Sequence, residues 1–195
     1  MTEFDEADIH AQINRAIAAQ AGDQLVPASL RLDSLVQDQD CFSECSFAFL
    51  LALLNRPDFL NLDGSYFLLY VFDIEWELLS ARQKERLLPV LESSYARFVG
   101  HMACFQISVL LGEHYKNAAA LQVLIRLKGV ADEDKRWTVS HGLAHLVDSS
   151  GDAALAQAAY AELMQMRTDP SPYVRDVVTK YLRELANAGY QYDRS

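Results

Sequence analysis

The stretch SPYVRDVVTKYLREL, residues 171–185, recurs upstream at a fixed step, and that recurrence limits the fold more than any other feature. Moved back by 39 residues, Arg175, Val178, Leu182 and Leu185 fall on Arg136, Val139, Leu143 and Leu146, and Ser171 falls on Asp132. Serine and aspartate both accept hydrogen bonds from the free amides of a helix's first turn, so the matched pair reads as two N-caps. A second step of 39 aligns Ser93, Arg97, Gly100, Cys104 and Ile107 more loosely. Gly112 and Gly151 share a register as helix-terminating glycines. Ala119-Ala120 matches Ala158-Ala159, Leu124 matches Leu163, Leu127 matches Met166, and Lys128 matches Arg167. A period of this length is built from stacked helix pairs.

The spacing predicts first helices near 94–110, 133–148 and 172–187, and second helices near 115–128 and 153–167. In the last first helix Val174, Val178, Leu182 and Leu185 share one face, and Pro172 suits the first helical position. Upstream the period fades. Ile9, Ile13 and Ile17 mark an N-terminal helix, and residues 41–54 another, with FAFLLALL as a buried core segment. At eight residues that run falls far short of the roughly 20 that span a bilayer. Tyr66 to Trp76 form a helix apolar on most sides, and residues 82–91 its partner, which Pro89 is expected to kink or end. No alternating strand pattern is present, so an all-α fold in one domain is expected.

The pattern D-x-S-P-Y-V-R-D-V-V-x-x-x-L, residues 169–182, resembles a HEAT repeat, most specifically at Pro172, Val174, Arg175, Val178 and Leu182. The resemblance covers roughly residues 93–188; the unit from Asp132 has no proline and carries Trp137 after its arginine, and the unit from Ser93 is more degenerate. It implies a right-handed α-solenoid of HEAT-like helix pairs, with residues 1–92 as divergent acidic helices at the N-terminal end. It also implies that Arg97, Arg136 and Arg175 are structural ties between neighbouring repeats.

Charge is unevenly placed. The net charge is −10, and residues 1–80 hold fourteen acids against Arg15, Arg31 and Arg56, a balance of −11. Asp33, Asp38, Asp40 and Glu44 form one acidic cluster and Asp73, Glu75 and Glu77 a second. Such a surface keeps a protein soluble, and it also steers a basic partner and repels wrong ones. Nucleic acid is disfavoured, because phosphates would approach a strongly negative chain; HEAT-like DNA glycosylases, by contrast, line their groove with Lys and Arg. Tyr70 and Trp76 each carry a polar end that could face a partner, although aromatics at helical spacing usually form core.

Catalytic signatures are absent: there is no G-x-S-x-G, P-loop or G-x-G-x-x-G. His141 and His145, in HGLAH, stand at a spacing that lets both reach one metal. The motif lacks the glutamate of H-E-x-x-H, and a third ligand would have to come from Asp148, His101 or His114. Structural histidines are the preferred reading, with no metal and no cofactor expected. His101 and Cys104 could mimic a nucleophile pair, but Cys104 occupies a core register. Asp132-Glu133-Asp134 suits a helix N-terminus, where acids meet the positive end of the dipole. The three cysteines, Cys41, Cys45 and Cys104, suit reduced thiols in a cytoplasmic protein, packed as small hydrophobes. The acidic start MTEFDEADIH lacks the pattern of a secretory signal. The tail GYQYDRS is expected to cap the last helix or fray.

These features favour a non-catalytic protein-binding module, with Asp38, Asp40, Glu44, Tyr70, Asp73, Glu75, Trp76 and Glu77 as the contact set. Small acidic helical-repeat proteins resemble immunity proteins, which cover the active site of a cognate toxin; a basic toxin would suit this surface. A scaffold or adaptor subunit is the alternative. A metal-dependent enzyme, or a lyase like the HEAT-like enzymes that attach bilin pigments, ranks below both.

Overall fold

A computed structural model describes residues 5–190. Every regular element among them is helical and none is a strand. The chain forms two compact units, residues 1–106 and 107–195.

The first unit begins with α1 (Glu6–Ala18), capped by the Asp5 side chain, whose stripe of Ile9, Ile13, Ala16 and Ile17 is buried. α2 (Leu25–Gln39) buries Leu25, Ala28, Leu32, Leu35 and Val36 and stops at Asp40, which takes a left-handed φ of 53°. α3 (Glu44–Leu53) starts after the Ser43 cap and buries Phe47, Leu50 and Leu53. α3 therefore begins three residues later than the sequence suggests. Then come α4 (Pro57–Leu60), α5 (Tyr66–Ile74) and a 3-10 turn at Trp76–Leu78. α6 (Ala81–Tyr95) opens with a reciprocal cap between Ser80 and Gln83 and runs through Pro89. An interior proline costs about 3 kcal/mol, but full burial of a leucine returns about 1.5–3 kcal/mol. Leu87, Leu91 and Tyr95, all fully buried, therefore keep the helix going where the sequence suggests an end.

The helix expected over 94–110 starts only at His101, as α7 (His101–Val109). Ser93 caps nothing; it lies inside α6, its hydroxyl donating to the Val90 carbonyl at 3.1 Å. Phe98, 1% exposed, sinks against the edge of Phe59 with ring centroids 6.3 Å apart. The Val99 amide then donates to the Leu60 carbonyl at 3.2 Å. Together these draw residues 96–100 out of helical register.

In the second unit, α7 passes into a π-helical turn, Leu110–Tyr115, which Lys116 closes with a left-handed φ of 44°. Gly112 thus lies inside a turn of helix and not beyond a helix end. Asn117 caps α8 (Ala118–Leu127). α9 (Glu133–Ser149) follows the Asp132 cap. Gly151, at φ 68°, precedes α10 (Ala153–Gln165), and α11 (Pro172–Asn187) follows the Ser171 cap. α9 packs against the π-helical turn, α8, α10 and α11. The core of this unit holds Leu124, Val139, Leu143, Leu146, Leu163, Val174 and Val178, all fully buried.

Arg136 and Arg175 hold equivalent loops in the same way. Each sends Nη1 to the carbonyls six and five residues before it: Val130 and Ala131 at 2.9 and 2.6 Å for Arg136, and Asp169 and Pro170 at 2.6 and 2.9 Å for Arg175. Arg97 does not join this set. It sits between α6 and α7 and donates to the Asn55 carbonyl at 3.0 Å. Tyr190 packs at a tilt against Tyr160 with ring centroids 5.1 Å apart; the rest of the expected tail, 191–195, lies outside the described residues.

Candidate functional site

Local packing at the end of α2 brings the two acidic clusters together within the first unit. α2 packs on α5, and Gln37 Nε2 donates to Glu75 Oε1 at 2.7 Å. The segment after α2 is tied to the segment after α5: the Phe42 amide donates to the Leu78 carbonyl at 3.2 Å, and Gln83 Nε2 donates to the Phe42 carbonyl at 3.0 Å. Asp38, Asp40, Glu44 and Glu77 are exposed around this junction. Tyr70 and Ile74, one turn apart on α5, are 48% and 49% exposed.

The acids differ in how far they are neutralised. Glu44 pairs with Arg86, whose guanidinium lies 4.9 Å from the Phe47 ring centre. Glu77 lies 4.0 Å from Lys84, which also sits 4.7 Å over the Trp76 ring. Asp73 is half-buried and accepts from Gln106 Nε2 at 2.7 Å. Among the described residues Asp38 and Asp40 have no ion-pair partner, so they carry the most available negative charge.

Two residues of the expected contact set are interior. Glu75 and Trp76 are each 6% exposed, because the chain turns inward after α5 and Trp76 joins the core. Glu75 instead meets Asp33. Burial, then the hydrogen bond to Glu75 and its charge, push the Asp33 carboxyl up to about 6. Two carboxylates this close cannot both be charged cheaply, which is why Asp33 keeps its proton to a higher pH than an ordinary carboxyl. Asp33 Oδ1 is left buried with no hydrogen-bond partner.

In the second unit, His141 and His145 stand one turn apart on α9 and bond through their Nε2 atoms at 3.0 Å. His141 Nδ1 meets Tyr181 Oη at 2.9 Å, and His145 Nδ1 lies 3.7 Å from Glu113 Oε2. Burial, and the neighbouring His145, lower His141 to about 4, so its ring is neutral at physiological pH. Burial raises the Tyr181 hydroxyl to about 12, aided by Glu184 and Tyr173. A cavity of about 330 Å³ opens here, lined by both histidines, Asp148, Tyr181 and Glu184 beside Ala144, Leu185 and Ala188. Of the three further ligands considered from sequence, Asp148 alone lines it. Among the described residues no group of three or more His, Cys, Asp or Glu is arranged to hold a metal.

Cys41 and Cys45 are both exposed and Cys104 is buried. Cys41 precedes α3 and Cys45 lies in its first turn, and neither packs as the small core hydrophobe the sequence suggests. Cys104 Sγ donates to the Tyr95 carbonyl at 3.2 Å, which fits the core register and not a nucleophile. A further cluster joins α1 to α3, where the Ser43 and Ser46 hydroxyls both donate to Glu6 Oε1. Burial would raise Glu6, but these hydrogen bonds outweigh it and hold the carboxyl below its ordinary range. His10 stacks on Phe49 with centroids 4.0 Å apart and reaches Ser46 Oγ at 3.3 Å. The only sequence signal for this cluster was the spacing of Glu6 and His10 on α1, beside the isoleucine stripe.

No helix among the described residues is long and apolar enough to cross a membrane. Compared with known proteins, the chain matches no family model, no curated protein and no solved structure.

Proposed function

We propose that this protein is a non-catalytic binding module that captures a basic protein through the acidic end of its first unit, as an immunity-type protein captures a toxin. One observation carries the reading: acids far apart in sequence, Asp38, Asp40 and Glu44 with Glu77, are gathered at one junction beside exposed Tyr70 and Ile74. Charge gathered this way accelerates encounter with an opposite surface, and the flanking apolar groups give the contact an area that water leaves. The arrangement proposed with it is a right-handed solenoid of HEAT-like pairs. The matched reach of Arg136 and Arg175 to their preceding loops supports that arrangement.

The test is capture from a lysate of the source cell, on the wild-type protein and on an Asp38→Lys/Asp40→Lys variant, at low and high salt, with mass spectrometry. The Debye length falls from about 10 Å at 0.1 M to about 3 Å at 1 M. One basic protein, released by salt and missed by the variant, is the expected result. A partner held equally by both proteins at high salt would sink the acidic-surface reading, and so would an empty capture at both salts.

A further inference from the structure

The histidine pair of α9 is independent of the acidic surface, lies in the other unit and carries an inference of its own. We propose that His141 and His145 bind one divalent transition-metal ion of the class that favours imidazole, such as Ni2+ or Zn2+, with water in the adjoining cavity completing its coordination.

The geometry supports this in three ways. First, residues four apart on a helix share a face, and here the two Nε2 atoms converge to 3.0 Å. Bonds of about 2.0–2.1 Å to one ion put adjacent ligand nitrogens roughly 3 Å apart. The side chains thus already stand at a ligating separation. Second, the opposite ring nitrogens face polar groups: His141 Nδ1 is hydrogen-bonded to Tyr181 Oη at 2.9 Å, and Glu113 Oε2 stands 3.7 Å from His145 Nδ1, within reach of a small side-chain shift. Metal-binding imidazoles are oriented in this manner, through a partner on the nitrogen that does not bind the ion. Third, the cavity of about 330 Å³ along both rings has room for waters, with Asp148 and Glu184 to accept their hydrogen bonds.

The proton balance closes without any loss. In the absence of an ion, one Nε2–H donates to the other Nε2. When an ion takes both Nε2 lone pairs, each neutral ring carries its hydrogen on Nδ1, donated to Tyr181 Oη and directed toward Glu113. Imidazole nitrogen suits Ni, Cu and Zn, whereas Mg2+ is held through carboxylate oxygens and water. With only two protein ligands, affinity falls well below that of a closed four-ligand site.

The experiment uses the full chain with Cys41→Ser and Cys45→Ser, since exposed thiols would compete for soft ions. Ni2+ and Mg2+ are titrated by calorimetry, and thermal unfolding is followed with and without Ni2+. One Ni2+ per chain, an increase in Tm with Ni2+, and no Mg2+ binding are expected. His145→Ala should weaken Ni2+ about tenfold or more, the scale on which even outer-shell changes act, and lose the Ni2+-dependent rise in Tm. His141→Gln, which keeps much of the ring's volume, should do the same. The proposal is overturned if millimolar Ni2+ does not bind, if Ni2+ binds equally well to both histidine variants, or if Mg2+ binds as tightly as Ni2+.

Discussion

Gly112 lies so close to Gly142 that a Cβ on the first would stand 2.2 Å from the carbonyl oxygen of the second. A Cβ on Gly142 would meet the Ser108 carbonyl oxygen at 2.8 Å and Leu124 Cδ2 at 2.9 Å. The π-helical turn and α9 therefore touch backbone to backbone, which only glycine permits at both places. Gly112→Ala faces rigid backbone and should lose at least the upper part of the 1–3 kcal/mol range, about 3 kcal/mol, that overpacking costs. Gly142→Ala should lose less, because its nearest backbone contact, 2.8 Å, is milder than the 2.2 Å at Gly112, and the Leu124 methyl beside it can turn aside. Urea unfolding of the two variants measures the order; equal or negligible losses would contradict the close crossing.

Arg136 also grips Asp169, Nε to Oδ2 at 2.9 Å and Nη2 to Oδ1 at 3.1 Å. Both side chains are about nine-tenths buried. Burial alone would raise the Asp169 carboxyl, but hydrogen bonds from Arg136 and the Ser171 amide, and then the charges of Arg136 and Arg175, hold it below the usual carboxylate range. A carboxyl lowered in the folded state adds stability above its unfolded pKa, and that stability fades as pH falls through the folded value. Arg136→Ala leaves the buried carboxylate without its cation, a change that costs about 3–5 kcal/mol. The variant should also show a shallower loss of stability on acidification than wild type, read from urea midpoints across the acid range.

Asp33 works in the opposite sense. Its folded pKa of about 6 lies above the ordinary carboxylate value, so the folded state holds the extra proton and stability falls as pH rises from about 4 through 6. Asp33→Asn keeps a donor for Glu75 and needs no proton. Its Tm should exceed that of wild type above pH 7 and converge with it near pH 4. A constant difference across that interval would rule out a raised Asp33 carboxyl.

The second unit was largely legible in the sequence, for a local reason. Caps and stripes are set by residues within a turn or two, so Asp132, Ser171, Val174 and Val178 announced α9 and α11 directly. The failures lie where distant contacts override local pattern. Ser93 resembled a cap, but Phe98 found Phe59, and α6 absorbed the serine. Gly112 resembled a terminator because its need, room for Gly142, is visible only after folding. α2 is not legible in the sequence, since its buried Leu25, Leu32, Leu35 and Val36 are interleaved with polar residues and have no matched copy elsewhere in the chain. At the acidic end, the sequence displayed which residues are charged but not that Glu75 turns inward to meet Asp33. The histidine pair was visible as a spacing; Tyr181, which is hydrogen-bonded to His141, and Glu113, which faces His145, were not, because they arrive from other elements.

Thiol accessibility gives a direct check on the start of α3. Cys41 and Cys45 should react with a thiol reagent in the native protein and Cys104 only after unfolding. Protection of both Cys41 and Cys45 in the native protein would contradict this placement and mean that they pack as small hydrophobes, as the sequence alone suggests.

The reach of Arg136 to Asp169 also bears on how the chain can be shortened. A stop codon just before position 169 would delete more than the final helix. It would strip Arg136 of its carboxylate, uncover the face of α9 on which α11 rests, and so damage an element that begins thirty-six residues earlier. Asp169, in the loop just before α11, is therefore part of the stability of α9, and truncation from this end should cause abrupt failure of the whole second unit, with no stepwise loss of helices.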